Sequence, residues 1–348
     1  MNVVRIVLLP FSWVYGFVIR IRNICYDASL FTVHKVSVPV ISVGNLTAGG
    51  TGKTPFVEYL VRYLLSRGQK VSVISRGYKR ATQGMFIVSD GTMLQGNAGQ
   101  SGDEPYQIAK KFPPVVVIAD EKRARAAQYA VEHFGIDCIL LDDGFQHRSL
   151  YRDLDLVIID GSVSLRDIHM LPSGLRREPL SALKRAGVLA VSNVSDVKKI
   201  SDDVHQITSA PVISVEQKIS RIVKYSSSAS ISSESFKDKS CMAFCGIGNP
   251  ESFRATLNEM GLHITNFMKY ADHHKYSIED LKNIEKEFLA SESKIIITTE
   301  KDAVKFSQSD IQAFTFAQSL VYPEIKTVVY EGERALHRQI DSLFSRKK

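Results

Sequence analysis

Gly44-Asn45-Leu46-Thr47-Ala48-Gly49-Gly50-Thr51-Gly52-Lys53-Thr54 follows directly on the apolar run Val38-Pro39-Val40-Ile41-Ser42-Val43. A buried strand therefore delivers the chain to a glycine-rich turn. Behind it, apolar spacing at Phe56, Leu60, Leu64 and Leu65, closed by Gly68, predicts a helix. Glycines let backbone N–H groups approach phosphate oxygens, and a helix N-terminus adds roughly half a positive charge. Lys53 can reach the terminal phosphates of a nucleotide, and the Thr54 hydroxyl can ligate Mg²⁺. Thr47, Ala48, Gly49, Gly50, Thr51, Gly52, Lys53 and Thr54 are thus the expected nucleotide-binding residues. The loop is irregular in two places. The general pattern has glycine where Thr47 stands, and the variant Lys-Gly-Gly-x-Gly-Lys-Thr of dimerising ATPases has lysine where this chain has Ala48.

Outward from that loop, 348 residues with 44% hydrophobic and 23% charged side chains are enough for two domains with real cores. The excess of 44 Lys and Arg over 37 Asp and Glu, a net +7, favours anionic partners. Four scattered cysteines give neither a disulfide framework nor a zinc-knuckle spacing, which fits a reducing cytosol. The amino terminus, residues 3–19, is apolar and is followed by Arg20 and Arg22. Its uncharged part between Arg5 and Arg20 holds 14 residues. As a helix that part reaches ~21 Å, against a hydrocarbon core of ~30 Å. Pro10 is expected to interrupt it, and Trp13, Tyr15 and the flanking arginines suit a headgroup boundary, so residues 1–30 read as an interfacial helix lying in the membrane plane. A cleaved signal peptide fits less well, since no small-x-small site follows.

From residue 38 to about 215 short apolar runs alternate with helical patterns, near 38–43, 70–75, 115–120, 138–142, 156–160, 188–193 and 212–215. Such alternation predicts an α/β fold with a mostly parallel sheet, buried on both faces and flanked by helices. Residues 219–240 become serine-rich and are expected to be a linker between a nucleotide-binding core, 31–218, and a smaller α/β domain, 241–348, closing the cleft. In that second block Ser277 and Asp280 have the spacing of a capping box.

Three further clusters bear on chemistry. The strand at 138–142 ends in Asp142-Asp143-Gly144-Phe145-Gln146-His147, which puts paired carboxylates at a strand's carboxyl end, where Mg²⁺ beside a nucleotide is commonly organised. Asp103 and Glu104 are expected in a loop before the strand at 115, one as a base and the other near the metal. Phosphoryl transfer to an alcohol asks for little more than an in-line hydroxyl, charge neutralisation and a carboxylate near the departing proton. Asp272-His273-His274 lacks further ligands at metal spacing, and adjacent loop histidines point apart, so a histidine orienting a carboxylate is the better reading than zinc.

Taken in order, Val43–Pro55 with its glycine loop, Ser75-Arg76-Gly77-Tyr78, Gly102-Asp103-Glu104-Pro105, the 142–147 acid loop, Leu171-Pro172 with Arg177-Glu178-Pro179, Gly246-Ile247-Gly248-Asn249-Pro250, Asp272-His273-His274 and Thr299-Glu300-Lys301-Asp302 resemble the tetraacyldisaccharide 4'-kinase family. These are the lipid A 4'-kinases of bacterial envelope synthesis, and the resemblance covers most of the chain. It implies a P-loop NTPase-like fold, ATP and Mg²⁺ as cofactors, and phosphate transfer to the 4'-hydroxyl of an acylated glucosamine disaccharide 1-phosphate. The place of action it implies is the cytoplasmic face of the inner membrane. By the same resemblance Asp103 is the catalytic aspartate, His273 its partner and Lys53 the phosphate lysine. Thr54, Glu104, Asp142 and Asp143 surround the metal, while Asn45, Arg76, Tyr78, Gln146, His147, Arg177 and His274 face the substrate. Arg176 stands where the family commonly has leucine.

The rival class is a membrane-associated switch ATPase that dimerises on ATP, and Ala48 removes the lysine on which that class depends. A GTPase switch lacks its Asn-Lys-x-Asp, and Leu141 stands where its Asp-x-x-Gly needs the acid. Nucleic acid is not an expected partner, because the basic residues are dispersed and no RNP-type aromatic motif is present.

Overall fold

Val40, Ile41 and Val43 are almost wholly buried because the strand that carries them has a parallel neighbour on either side and a hydrophobic core on each face. The computed structural model describes residues 3–165, 167–193 and 204–345. Within them α1 (Val3–Asp27) leads to β1 (Val40–Asn45), α2 (Lys53–Ser66), β2 (Val71–Ser75), β3 (Phe86–Asp90), α3 (Ala98–Ser101) and α4 (Asp103–Lys111). β4 (Val116–Ala119), α5 (Arg123–Phe134), β5 (Cys138–Asp142), β6 (Leu154–Asp160), β7 (Val188–Ser192), β8 (Val212–Lys224) and β9 (Ser230–Ile231) follow. The chain continues with β10 (Ser240–Cys245), α6 (Pro250–Glu259), β11 (His263–Lys269), α7 (Ile278–Ala290) and β12 (Ile295–Ile297). It closes with α8 (Glu300–Ala303), α9 (Gln308–Ile311), β13 (Leu320–Glu331) and α10 (Glu333–Ser345).

All these strands form one sheet in the order β11-β10-β12-β13-β8-β7-β6-β1-β5-β2-β4-β3, with β9 on β8. Only the pairs β13 with β8, β3 with β4 and β8 with β9 are antiparallel. Chain order reverses at β1, which lies between β5 and β6, and the glycine loop leaves there at the carboxyl end of the strand. Open α/β sheets bind ligands at such a switch point.

Four expectations change. Asp103 is not in a loop but begins α4, and Pro10 does not break α1. Pro10 is the eighth residue of the helix and removes the bond to the Ile6 carbonyl, yet the helix runs on for 17 residues beyond it, to Asp27. Its stretch Arg5–Asp27 is therefore long and apolar enough to cross a membrane by length and composition. The boundary read at 218–219 falls inside β8, which pairs with β13 from Ser214 to Lys224 without leaving the sheet. Finally, Leu336 and Ile340 of α10 join Phe56, Leu60 and Leu64 in the core under α2, so the last helix packs on the nucleotide half. Residues such as Phe244, Ile284 and Phe316 form a separate core in the carboxyl-terminal block.

Candidate active site

Gly52 precedes α2 at φ 77°, in the left-handed region, and a Cβ there would lie 2.7 Å from Gln217 Nε2. The positive φ favours glycine, and a side chain there would also have to displace the Gln217 amide. A Cβ on Gly49 or Gly50 would instead meet nothing within 4 Å, so the front of the loop is open. The loop is held from behind, where Asn45 Nδ2 donates to Thr51 Oγ1 at 2.8 Å and the Ala48 N–H donates to the Leu175 carbonyl at 2.7 Å. Lys53 heads α2, its Nζ 3.6 Å from Asp143 Oδ1.

Asp142 and Asp143 follow β5 into that space. Asp142 is buried, and its Oδ1 has no hydrogen-bond partner among the described residues. Burial, with Glu104 and Asp143 nearby, pushes its carboxyl up to about 7 against the pull of Lys53 and Arg123. Asp143 behaves oppositely. Although the packing around it opposes ionisation, Lys53 and Arg177 hold its carboxyl below the usual range. Arg177 donates from one guanidinium nitrogen to both Asp143 oxygens, at 3.0 and 2.9 Å. Gln146 Nε2 donates to the Asn45 carbonyl at 2.9 Å, which ties the acid loop to the end of β1.

Asp103 reaches the same edge from α4. Gly102 (φ 97°) sits so close to the β2 exit loop that a Cβ would lie 2.9 Å from Gly77 Cα. That backbone contact brings Tyr78 and Asp103 together, and the Tyr78 ring meets the His273 ring edge-on at 5.1 Å between centroids. His273 Nδ1 lies 3.0 Å from Asp103 Oδ2, while its Nε2 lies 3.1 Å from Lys301 Nζ. Lys301 is kept charged, despite burial, by Glu104 and Asp272, and its Nζ is 2.9 Å from Glu104 Oε1. An ammonium only donates, so Nε2 accepts from Lys301 and Nδ1–H donates to Asp103. Lys305 Nζ adds a second charge 3.6 Å from the same Asp103 oxygen.

Lys53, Asp103, Glu104, Asp142, Asp143, Gln146, Arg177, Tyr78 and His273 therefore converge. Arg76 is exposed beside them on the β2 exit loop. Burial and the arginines around His147, Arg123 first, lower its imidazole to about 4, so it is neutral at pH 7 and its Nε2 faces Ser149 Oγ at 3.0 Å. His274 points away, as adjacent loop histidines do, its Nε2 3.1 Å from Asp280 Oδ2 in the capping box of α7. Lys301 and Lys305 were not singled out from the sequence. Their signal was the strand-ending Thr299-Glu300-Lys301-Asp302, whose Asp302 fixes the turn by accepting from the Gly246 N–H at 2.9 Å. Among the described residues no group of three or more His, Cys, Asp or Glu is arranged to hold a metal by itself. Mg²⁺ commonly takes one or two carboxylates, a hydroxyl and phosphate oxygens, and the orphaned Asp142 Oδ1 in a crowd of acids fits such an ion.

The family model for tetraacyldisaccharide-1-P 4'-kinase matches residues 4–345. The chain belongs to that family. A tetraacyldisaccharide 4'-kinase of Pelodictyon phaeoclathratiforme is 37% identical over 350 residues, covering 97% of this chain and 98% of its own. One of Desulfotalea psychrophila is 38% identical over 303 residues, covering 85% and 86%. A crystal structure of LpxK from Aquifex aeolicus in complex with ATP superposes with a TM-score of 0.80 at 32% identity, covering 98% of this chain and 99% of that one.

Proposed function

We propose that this site carries the γ-phosphate of ATP to the 4'-hydroxyl of a tetraacyldisaccharide 1-phosphate, a lipid A precursor, with Asp103 as the base. The activity is a phosphotransferase with an alcohol acceptor, as in the relatives named above. What supports the role of Asp103 is the chain Lys301–His273–Asp103 set beside the glycine loop. Lys301 fixes His273 as the donor to Asp103 Oδ2, which holds the carboxylate in one orientation. Among the described residues its contacts meet at Oδ2, leaving Oδ1 for the acceptor hydroxyl. Lys53 and the loop N–H groups hold the transferring phosphate in line. Thr54, Asp142, Asp143 and Glu104 would hold Mg²⁺, which when bound supplies charge neutralisation at the phosphates.

Arg76, Arg177, Tyr78, Gln146 and His147 would face the sugar and its 1-phosphate. We further propose that the carboxyl-terminal block, which supplies His273 and Lys301, closes over ATP about the β8–β13 pair. The outward apolar face of α1 would lie in the plane of the inner membrane's cytoplasmic surface, since Ser12, Tyr15, Arg22 and Asn23 on its other face are engaged by protein. The deciding experiment is transfer of labelled γ-phosphate to the disaccharide 1-phosphate lipid. The parent protein should label it, Lys53→Ala and Asp103→Ala should not, and undiminished turnover in either variant would sink the assignment.

A further inference from the structure

Helix α1 is amphipathic in the reverse sense. Val7, Phe11, Trp13, Val14, Phe17 and Ile24 are each 62–73% exposed, whereas Ser12 and Asn23 are buried at 4% and 9%. An anchor needs only the outward face. Polar side chains turned inward cost free energy unless they are bonded, and here each makes a bond to a segment of the site, with only Asn23 Oδ1 among their described atoms buried without a partner. Ser12 Oγ accepts from the Ser173 N–H at 3.0 Å, and the Tyr15 hydroxyl donates to the Arg177 carbonyl at 3.1 Å. Arg22 donates to the Gln146 carbonyl. Asn23 Nδ2 donates to Glu178 Oε2 at 2.9 Å, in a fully buried contact. Arg148, from the far end of the acid loop, returns the contact by donating to the Asn23 carbonyl at 3.0 Å.

These bonds converge on two short segments, 146–148 and 173–178. Glu178 is wholly buried and gripped on its other side by Arg185, at 3.1 and 3.0 Å. Its neighbour Arg177 holds Asp143, which in turn meets Lys53. A shift of the 177–178 peptide would therefore move the guanidinium off Asp143. We propose that α1 is part of the active-site framework as well as the membrane contact, with Asn23 as a positioning residue that, through Glu178, fixes Arg177 on Asp143. The lipid surface and the acid loop are then set by one rigid helix, one face to each. This rests on the reading above that Arg177 and Asp143 belong to the site.

The test uses the full-length protein and lipid acceptor dispersed in detergent, so that partition into bilayers does not limit the rate. Asn23→Asp, which sets a second carboxylate against Glu178, should lower kcat about tenfold or more. Its ATP affinity and sedimentation with phosphatidylglycerol vesicles should stay near the parent's, while its thermal midpoint falls because two carboxylates face each other in a buried contact. Adding Glu178→Gln to Asn23→Asp restores an amide–carboxylate pair with the groups exchanged, and should recover part of the lost kcat. Parent-like kcat for Asn23→Asp while Arg177→Ala is impaired would overturn the inference and leave α1 an anchor only. If Arg177→Ala is itself parent-like, the reading of the site fails instead. Should Asn23→Asp not fold, Asn23→Leu and Tyr15→Phe, which add no charge, decide by the same measurements: lowered kcat with unchanged vesicle binding supports the inference, and unchanged kcat overturns it.

Discussion

Lys301 determines which nitrogen of His273 carries a proton, and the catalytic reading of Asp103 depends on it. With Lys301→Met the imidazole loses the donor that holds Nε2 as an acceptor and Glu104 loses its 2.9 Å partner. We expect kcat to fall by about one to two orders of magnitude, with ATP affinity changed far less. Asp103→Asn, which cannot take a proton, should lose about 10²–10⁴-fold in kcat, the usual range for a positioned base. A single-turnover assay at saturating ATP separates the two effects, and a Lys301→Met enzyme with parent-like kcat would remove the lysine from the chain. The motif chemistry of the glycine loop picked out Lys53, and the family resemblance picked out Asp103 and His273; the fold brings the three to one edge of the sheet. Lys301 was not legible in the sequence, because its meaning lies in a contact with α4, far away in the chain, that only the fold creates. His274, one residue on, is turned the other way, onto Asp280.

At the scale of elements, α4 acts as a strut fastened at both ends. Asp103 and Glu104 at its start meet His273, Lys305 and Lys301, and Lys111 at its end lies 2.7 Å from Glu58 of α2 and 2.8 Å from Glu300 of α8. Glu58 is wholly buried and without Lys111 would keep only Arg62 at 3.4 Å and the Gln107 amide at 3.0 Å, so Lys111→Ala should cost about 1.5–3 kcal/mol, measurable by urea unfolding. Burial beside Glu58 pushes the Glu300 carboxyl up to about 7 from its ordinary 4.5, against the pull of Lys111. Between those values the folded state holds a proton that the unfolded chain has released. The stabilisation is thus fully present below about pH 4.5 and is lost as pH rises through about 7. Unfolding free energy of the parent should fall more steeply from pH 5 to pH 8 than that of Glu300→Gln, and parallel curves would refute this. The central parallel strands were legible because burial on both faces leaves continuous Val, Ile and Leu. β13 and the outer half of β8 were not, since this antiparallel pair keeps one side wet and intersperses Glu216, Lys218, Arg221 and Lys326.

Over the whole molecule the sheet puts the glycine loop, the acid loop, α4 and the carboxyl-terminal block along one edge, and α1 runs beside the acid loop with its apolar face outward. Its apolar composition was readable in the sequence, but not the direction of its faces, because Ser12, Tyr15, Arg22 and Asn23 look like a polar side meant for water until the fold places protein there. The outward side should supply the membrane affinity and none of the site geometry. Burying a large apolar side chain contributes about 1.5–3 kcal/mol, so Trp13→Ser and Phe17→Ser should each weaken vesicle partition by about tenfold or more. Neither residue touches the acid loop, so kcat on detergent-dispersed lipid should stay within about twofold of the parent, while activity on vesicle-borne lipid drops with partition. Raising the salt concentration weakens only the contribution of Arg5 and Arg20 to anionic vesicles, leaving the apolar part unchanged. If Trp13→Ser and Phe17→Ser left sedimentation intact at both low and high salt, the exposed face of α1 would have to meet something other than lipid.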